Sequence, residues 1–369
     1  MLILLSTLSL LAGFAFVVPS QSLAEVSGST AVEVAATVPN WHNPLVETET
    51  RKASEVDALL ARIPTINPEL RTALEAQREL LKRQSPTRTY KVGDAAYNKY
   101  DFIRVIDDLL SGRYHLDQPY QVEVASDAAV RFTGYYSPEV RVSSRRTSVY
   151  RYPIMRAPKH WKGTWPTRRQ IEREDALGAD TLAIAWARHP LDVYDLQLQG
   201  SGFVRFEDGR RAYLAYGGTN RYGYRSIELA LAARDKSVKD LSMRGLRAWV
   251  SEDLRGRDSV TCANPNYGFF RLSEGEPRGA AGMALTAMVS VAADPAAYPL
   301  GAVLIAEVPV GDQPGSFETK LLLVQDTGGA INGDAHLDLY TGIGSKALDI
   351  AEKLHTEGRV YMLSPRPQA

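Results

Sequence analysis

The sequence has only one cysteine among its 369 residues, Cys262, so it cannot form an internal disulfide or a thiolate metal cluster. An excess of charge is also missing: 43 basic residues balance 43 acidic ones, which argues against nucleic acid as a partner. No glycine-rich phosphate loop ending in Gly-Lys-Ser/Thr is present, and the six histidines show no i, i+4 pair. Neither a P-loop nucleotide site nor a histidine-based zinc site is therefore expected.

The N-terminal segment is the longest apolar run. Residues 2–18 are almost wholly apolar, and Ser-Leu-Ala at 22–24 is a small-x-small cleavage site before Glu25. We predict a signal peptide at 1–24 and export of the mature chain. Because no Lys or Arg precedes the run, retention as an anchor stays open as the alternative. No cysteine lies near residue 24, so lipid attachment there is not expected.

The first structured part is predicted to be helical. Residues 25–50 are polar and are typical of a linker. Asn67 followed by Pro68 is an N-cap signal, and apolar residues then recur with helical spacing as far as Pro86. A second helix is predicted over 100–110, and Gly112 ends it.

From Tyr120 onward the pattern mostly has the period of two that is typical of strands. Strands are predicted at 121–124 and 129–132 as a hairpin, and at 194–199 and 211–216. Short strands broken by Gly and Pro are predicted within 289–306 and within 321–340. Helices interrupt them: a short one near Thr167, where Gln170 completes a capping box, and two more at 226–234 and 242–254. The pattern indicates an α+β chain, mostly β, with barrels rather than one parallel sheet.

A glycine pair lies between two carboxylates in the C-terminal part. The apolar run 321–324 leads to Asp326 and the turn residues Gly328 and Gly329, and Asp338 follows in a segment that alternates polar and apolar residues. Two carboxylates at the ends of one turn-linked unit are a plausible acid–base centre. From spacing alone, a polar hairpin loop explains the pattern equally well.

Three upstream segments are rich in amides, aromatic rings and glycine, at 199–202, 216–226 and 264–270. Planar amides suit sugar hydroxyls, and exposed rings suit the apolar face of a pyranose, so together they favour a saccharide site. Taken singly, each is better explained as a turn or a barrel corner. Gly200-Ser201-Gly202 lacks the spacing of a nucleophile elbow, which makes Ser201 a turn residue.

Six motifs occur in series from about residue 130 to the C-terminus. They are TGYYSP (133–138), LQGSG (198–202), YRSI (224–227), NPxYxFF (264–270), ADP (293–295) with PLG (299–301), and QDTGGAI (325–331). In this order they resemble the membrane-bound lytic murein transglycosylase A family. The C-terminal part resembles its "three-aspartate" domain, with Asp294, Asp326 and Asp338 as the three aspartates.

The resemblance implies a fold: a double-psi β-barrel domain interrupted by a smaller β-barrel, with the glycan in the groove between them. It places the insertion at 138–273 and the main domain at 51–137 plus 274–369. It makes Asp338 the catalytic acid and Asp326 its supporting carboxylate. It further implies a substrate-binding set of Thr133, Tyr135, Gln199, Ser201, Tyr224, Arg225, Tyr267 and Asp294.

The implied reaction is cleavage of peptidoglycan between N-acetylmuramic acid and N-acetylglucosamine, with a 1,6-anhydro product and no metal or organic cofactor. The resemblance also implies a monomer in the periplasm or cell envelope, with peripheral association to the outer membrane. The chain departs from the family pattern at two points: no lipidation cysteine is present, and Asn332 stands where lysine is usual. A hydrolytic glycosidase on the same barrel and a non-catalytic glycan-binding module remain the alternatives.

Overall fold

The computed structural model describes residues 58–92, 95–112, 120–124, 129–235, 237–252, 260–309, 317–329 and 331–365. The predicted signal peptide, the linker at 25–50 and the predicted hairpin turn at 126–127 lie outside these residues. Within the described ranges no helix has both the length and the apolar character needed to cross a membrane.

The main helices are α1 (Pro68–Arg83), α2 (Lys99–Ser111), α3 (Arg168–Glu174), α4 (Ala179–Leu182), α5 (Pro190–Gln199), α6 (Ile227–Arg234), α7 (Met243–Glu252) and α8 (Ser345–Ala351). The strands are β1 (Thr89–Val92), β2 (Ala95–Asn98), β3 (Tyr120–Val124), β4 (Val130–Ser137), β5 (Glu139–Ser143), β6 (Tyr152–Met155), β7 (Ala183–Ala187), β8 (Gly202–Phe206), β9 (Arg211–Thr219), β10 (Gly268–Ser273), β11 (Ser290–Ala292), β12 (Val303–Pro309), β13 (Phe317–Asp326), β14 (His336–Ile343) and β15 (Thr356–Pro365).

Helices α1 and α2 begin and end where the sequence predicts. The Asn67 side chain accepts the Leu70 N–H at 2.8 Å, and Gly112 ends α2 in the left-handed conformation, with φ of 71°. Helix α1 is fastened to the barrel by a buried amide pair, in which Gln325 Nε2 donates to Gln77 Oε1 at 2.9 Å. Because unpaired buried amides are costly, this contact fixes how α1 lies on the barrel.

The C-terminal half and β4 form a closed barrel. Its strands pair in the order β12-β13-β11-β14-β4-β15, and β15 pairs again with β12 to close the ring. Pairs β11–β13 and β14–β4 are parallel and the other pairs are antiparallel. Val303–Ile305 and Leu321–Val324 are all at most 3% exposed, and because side chains alternate along a strand, the barrel is packed with apolar residues inside and covered outside. The expected barrel is confirmed, and β3 adds to its outside along β15.

A second sheet follows directly after β4, with only Pro138 between β4 and β5. Its six strands have the order β10-β9-β8-β5-β7-β6 and all lie between residues 139 and 273. Helix α5 packs on it, with Leu196 in the same apolar cluster as Val204 and Leu214. The chain thus leaves the barrel after β4 and comes back to it at β11.

Two local predictions were wrong. The segments at 121–124 and 129–132 do not form a hairpin, because β3 and β4 are both antiparallel to β15 and pair with successive stretches of it, at Tyr361–Pro365 and Thr356–Gly358. The segment 194–199 belongs to helix α5 and is not a strand. His189 caps α5, Pro190 occupies its first turn, and every residue of 190–198 except Asp192 is buried, so no amphipathic period reveals the helix.

Candidate active site

The two carboxylates lie in one row across four neighbouring strands. Asp326 on β13 is in register with Ala292 on β11, Ala292 is in register with Asp338 on β14, and Asp338 is in register with Thr133 on β4. Strands in a sheet are about 4.8 Å apart, so the Cα atoms of the two aspartates are about 10 Å apart. Only the small Ala292 side chain separates the carboxylates.

Asp326 is held by three donors. Its Oδ1 accepts the N–H groups of Ala280 at 2.8 Å and of Thr327 at 2.9 Å, and its Oδ2 accepts the Tyr135 hydroxyl at 2.9 Å. Gly279 allows the loop before β11 to come this close, because a Cβ there would lie 2.4 Å from the Gln325 carbonyl oxygen. Burial raises the pKa of Asp326 to about 6, although all three hydrogen bonds oppose that shift.

Asp338 has a different environment. Its Oδ1 accepts the Thr133 hydroxyl at 2.8 Å, whereas its Oδ2 is buried with no hydrogen-bond partner among the described residues. The whole residue is 0% exposed. Burial, and secondarily repulsion from Asp326, raise the pKa of Asp338 to about 7. Burial and the unpartnered oxygen favour the protonated form of the carboxyl group, which is the form of a general acid.

A line of hydrogen bonds runs behind Asp338 and was not predicted from the sequence. His336 Nε2 lies 2.9 Å from Thr133 Oγ1, and Arg131 Nη2 lies 3.2 Å from His336 Nδ1. His336 and Asp338 are two residues apart on β14, as Arg131 and Thr133 are on β4, so each pair shares a face. The i, i+2 spacing of His336 and Asp338 was the signal that could have identified the histidine.

The loop between Asp326 and Asp338 is held in place next to the strands that carry the two aspartates. Asp294 Oδ2 accepts the Gly333 N–H at 2.7 Å. Ile331 is 3% exposed and packs with Tyr135, Ala292 and Tyr340. These contacts pack the described residues of the glycine-pair loop against β4, β11 and β14.

Comparisons with known proteins show the family of the chain. A family model described as "MltA specific insert domain" matches residues 131–271, and one described as "3D domain" matches residues 289–364. Membrane-bound lytic murein transglycosylase A of Escherichia coli K12 is 34% identical over 298 residues, which cover 78% of this chain and 80% of the relative. The chain belongs to the membrane-bound lytic murein transglycosylase A family.

Solved structures of this family share the fold. A membrane-bound lytic murein transglycosylase of Agrobacterium tumefaciens superposes with a TM-score of 0.67 at 25% identity, covering 81% of this chain and 93% of that one. The E. coli MltA crystallised with bound chitohexaose gives a TM-score of 0.67 at 28% identity, covering 80% and 90%. The predicted family, enzyme class and fold class are therefore confirmed.

Within this family member, the structure brings only some of the predicted site residues together. Thr133 and Tyr135 contact the two carboxylates directly, and Asp294 fastens the loop above them. Gln199 lies at the junction of the two sheets, where its Oε1 accepts the Tyr136 N–H at 3.2 Å. It ends helix α5, and the left-handed Gly200 follows.

The remaining predicted residues lie in the second sheet and its loops. Ser201 and Tyr224 are partly buried and Arg225 is exposed, so all three can offer surface to a ligand. Tyr267 is 1% exposed, with Arg168 stacked over its ring at 5.1 Å. The expectation of exposed rings at 264–270 was therefore wrong, because Tyr267, Phe269 and Phe270 are all core residues.

Proposed function

We propose that the enzyme cleaves the β-1,4 bond between N-acetylmuramic acid and N-acetylglucosamine in peptidoglycan without water, leaving 1,6-anhydromuramyl ends. The observation that carries this proposal is the difference between the two buried carboxyl groups. Asp338 has an oxygen without a hydrogen-bond partner among the described residues, which is free to donate a proton, whereas both oxygens of Asp326 accept hydrogen bonds. A relative crystallised with chitohexaose supports a glycan as the ligand.

Asp338 serves as acid and then as base. Its Oδ2 proton passes to the glycosidic oxygen, and the bond from that oxygen to C1 breaks. The 6-hydroxyl of the same muramyl residue attacks C1 and closes the 1,6-anhydro ring, and the Asp338 carboxylate removes its proton. The carboxyl group is thereby regenerated. Because the nucleophile is intramolecular, its effective concentration is high and no covalent enzyme intermediate is needed.

Asp326 acts as the supporting carboxylate. Its oxygens already accept three hydrogen bonds, which hold the loop at 277–285, the backbone at Thr327 and the Tyr135 ring in place. A hydrolytic glycosidase would need a second carboxylate that activates water, and Asp326 is the group that would have to do so. The three donors oppose this role because they lower the basicity of the carboxylate.

The inserted part, which we place at 138–273, is proposed to form the other wall of the glycan groove. Gln199, Ser201, Tyr224 and Arg225 would contribute to that wall, with Tyr267 supporting it from the core. Export to the cell envelope follows from the predicted signal peptide and from the substrate.

Mass spectrometry of purified sacculi digested by the enzyme tests the proposal. We expect soluble muropeptides that end in 1,6-anhydromuramic acid. Products heavier by one water would indicate a hydrolase. Binding to sacculi without any soluble product would indicate a glycan-binding module.

A further inference from the structure

The proposed reaction does not explain the buried polar row behind Asp338. Arg131, His336 and Thr133 form a line of hydrogen bonds that ends on Asp338 Oδ1, with separations of 3.2, 2.9 and 2.8 Å. His336 is 5% exposed and Thr133 is 6% exposed. Burying an imidazole and a guanidinium edge is costly, so a role for the row has to be sought.

The donor and acceptor in each of these hydrogen bonds follow from the chemistry of Arg131, the first residue of the line. A guanidinium group has only donors, so the His336 Nδ1 that faces Arg131 must be the unprotonated, accepting nitrogen. The proton of the neutral ring then sits on Nε2, which donates to Thr133 Oγ1. Thr133 has a single hydroxyl proton and, with this donor behind it, points that proton at Asp338 Oδ1.

A reversed row is incompatible with Arg131. If Asp338 donated from Oδ1 to Thr133, Thr133 would donate to His336 Nε2, and the imidazole N–H would face the guanidinium. A doubly protonated ring would place the same N–H there. In keeping with this, burial, Arg131 and His355 lower the pKa of His336 to about 4, so the ring is neutral at the pH of the cell envelope.

We propose that His336 is a positioning residue that assigns the acid proton of Asp338 to Oδ2. Acting through Thr133, it keeps Oδ1 as an acceptor, and the proton can only be carried by the unpartnered oxygen. This inference rests on the proposed function, since it specifies which oxygen of the same acid reacts. Without His336 the Thr133 hydroxyl could turn and accept, and the proton could rest unproductively on Oδ1.

The same hydrogen bond sets the pH range of the acid. Thr133 lowers the pKa of Asp338, whereas burial and Asp326 raise it. Without His336, the Thr133 hydroxyl no longer donates steadily to Asp338 Oδ1, and the pKa of Asp338 rises further. Activity requires the protonated acid, so the limb on which activity falls with rising pH should move to higher pH. A residue with a purely structural role would lower activity without moving that limb.

The test is a double-mutant cycle on purified sacculi with His336→Leu, Thr133→Val and both changes together. A single neutral hydrogen bond corresponds to about a 3- to 10-fold loss of kcat for His336→Leu. In the Thr133→Val background the same change should cost less than about 2-fold, because its route to Asp338 is gone. His336→Gln, whose amide can accept from Arg131 and donate to Thr133, should recover most of the activity.

The exposed His160→Ala serves as a matched control and should be unchanged. Equal losses from His336→Leu in both backgrounds, with an unshifted pH limb, would overturn the proposal. An inactive wild-type enzyme would instead refute the proposed function.

A second measurement needs no activity. Imidazole ¹⁵N–¹H correlation spectra of the full chain should show His336 as the neutral Nε2–H tautomer between pH 5 and pH 8. Arg131→Met should allow the Nδ1–H tautomer to appear. A wild-type ring that is Nδ1–H, or that is protonated in this range, would refute the assignment even if the variants lose activity.

Discussion

Asp326 and Asp338 occupy the same row of the barrel, on the two strands that flank β11, yet their surroundings are opposite. Asp326 accepts two backbone N–H groups and a phenol. Asp338 accepts one hydroxyl, and its second oxygen has no partner among the described residues. Both are buried, and burial raises both pKa values, to about 6 and about 7.

The difference shows that burial alone does not define the acid. Donors to a carboxylate stabilise its ionised form, so Asp326 suits a fixed anion that holds loops together. A buried oxygen without donors disfavours that form, so Asp338 suits a carboxyl group that keeps its proton until substrate arrives. The sequence presents two similar aspartates, and the hydrogen bonds around them make the two unequal.

The largest expected effect comes from breaking the acid itself. Asp338→Asn should lower the rate of muropeptide release by about 10³-fold, within the range of general acid catalysis, while the fold is kept. Asp326→Asn, as its matched partner, should cost about 10-fold through misplaced loops. Rates on purified sacculi, with circular dichroism as the folding control, make the comparison. A greater loss for Asp326→Asn would reverse the proposed roles.

The next largest effect is expected on the free energy of unfolding, which should depend on whether the Asp338 carboxyl group is protonated or ionised. The folded-state pKa of Asp338 lies above its ordinary value, so its contribution to stability is complete at low pH and is lost as pH rises from about 4 to about 7. Asp338→Asn cannot ionise and should be more stable than wild type above pH 7, on the order of 2–4 kcal/mol. Urea denaturation at pH 4.5 and pH 8 measures this.

For the stability comparison, the gap between Asp338→Asn and wild type should be small at pH 4.5. A gap that does not change with pH would show that the Asp338 carboxyl group is ionised in both states.

Removing one donor from Asp326 should have a smaller effect. Tyr135→Phe deletes the hydroxyl that Asp326 Oδ2 accepts and should destabilise the fold by about 1–3 kcal/mol at neutral pH. Tyr340→Phe is the matched control, because its hydroxyl lies 3.0 Å from the neutral Ser137 Oγ. The Tyr135 change should be the costlier of the two, and thermal unfolding decides between them.

The smallest effect is expected at the loop. Asp294→Ala removes the acceptor for the Gly333 N–H in a largely solvent-accessible contact, which contributes about 0.5–1.5 kcal/mol. We expect a reduction of kcat by a few-fold and an unchanged pH profile, because neither carboxyl group of the row is touched. An unaltered rate would show that the loop keeps its position without Asp294.

Local signals were enough for the helices that carry their own caps. Asn67 and Thr167 each accept the backbone N–H three residues on, as the sequence predicts. The closure of the barrel could not be read in the same way, because β15 pairs with β3 and β4, more than 200 residues earlier in the chain. Helix α5 was missed because eight of its ten residues are buried, which leaves no clear polar face in the sequence.

The sequence motifs indicate which residues form the candidate site, but they do not indicate the different hydrogen-bonding environments of the two aspartates. The resemblance pointed to Asp326, Asp338 and Thr133, and strand register brings these three residues together. The donors to Asp326 come from Tyr135 and the loop at Ala280, which no spacing connects to it. Tyr267 shows the reverse error, since an aromatic residue in a polar motif turned out to be core.

The most direct test of the account is a titration of the two carboxyl groups in the free enzyme. Carboxyl ¹³C NMR on aspartate-labelled protein, assigned with Asp338→Asn and Asp326→Asn, follows each group by itself. We expect Asp338 to titrate near pH 7, after Asp326, which should titrate near pH 6. An Asp338 that is fully ionised by pH 5, or that titrates before Asp326, would contradict it.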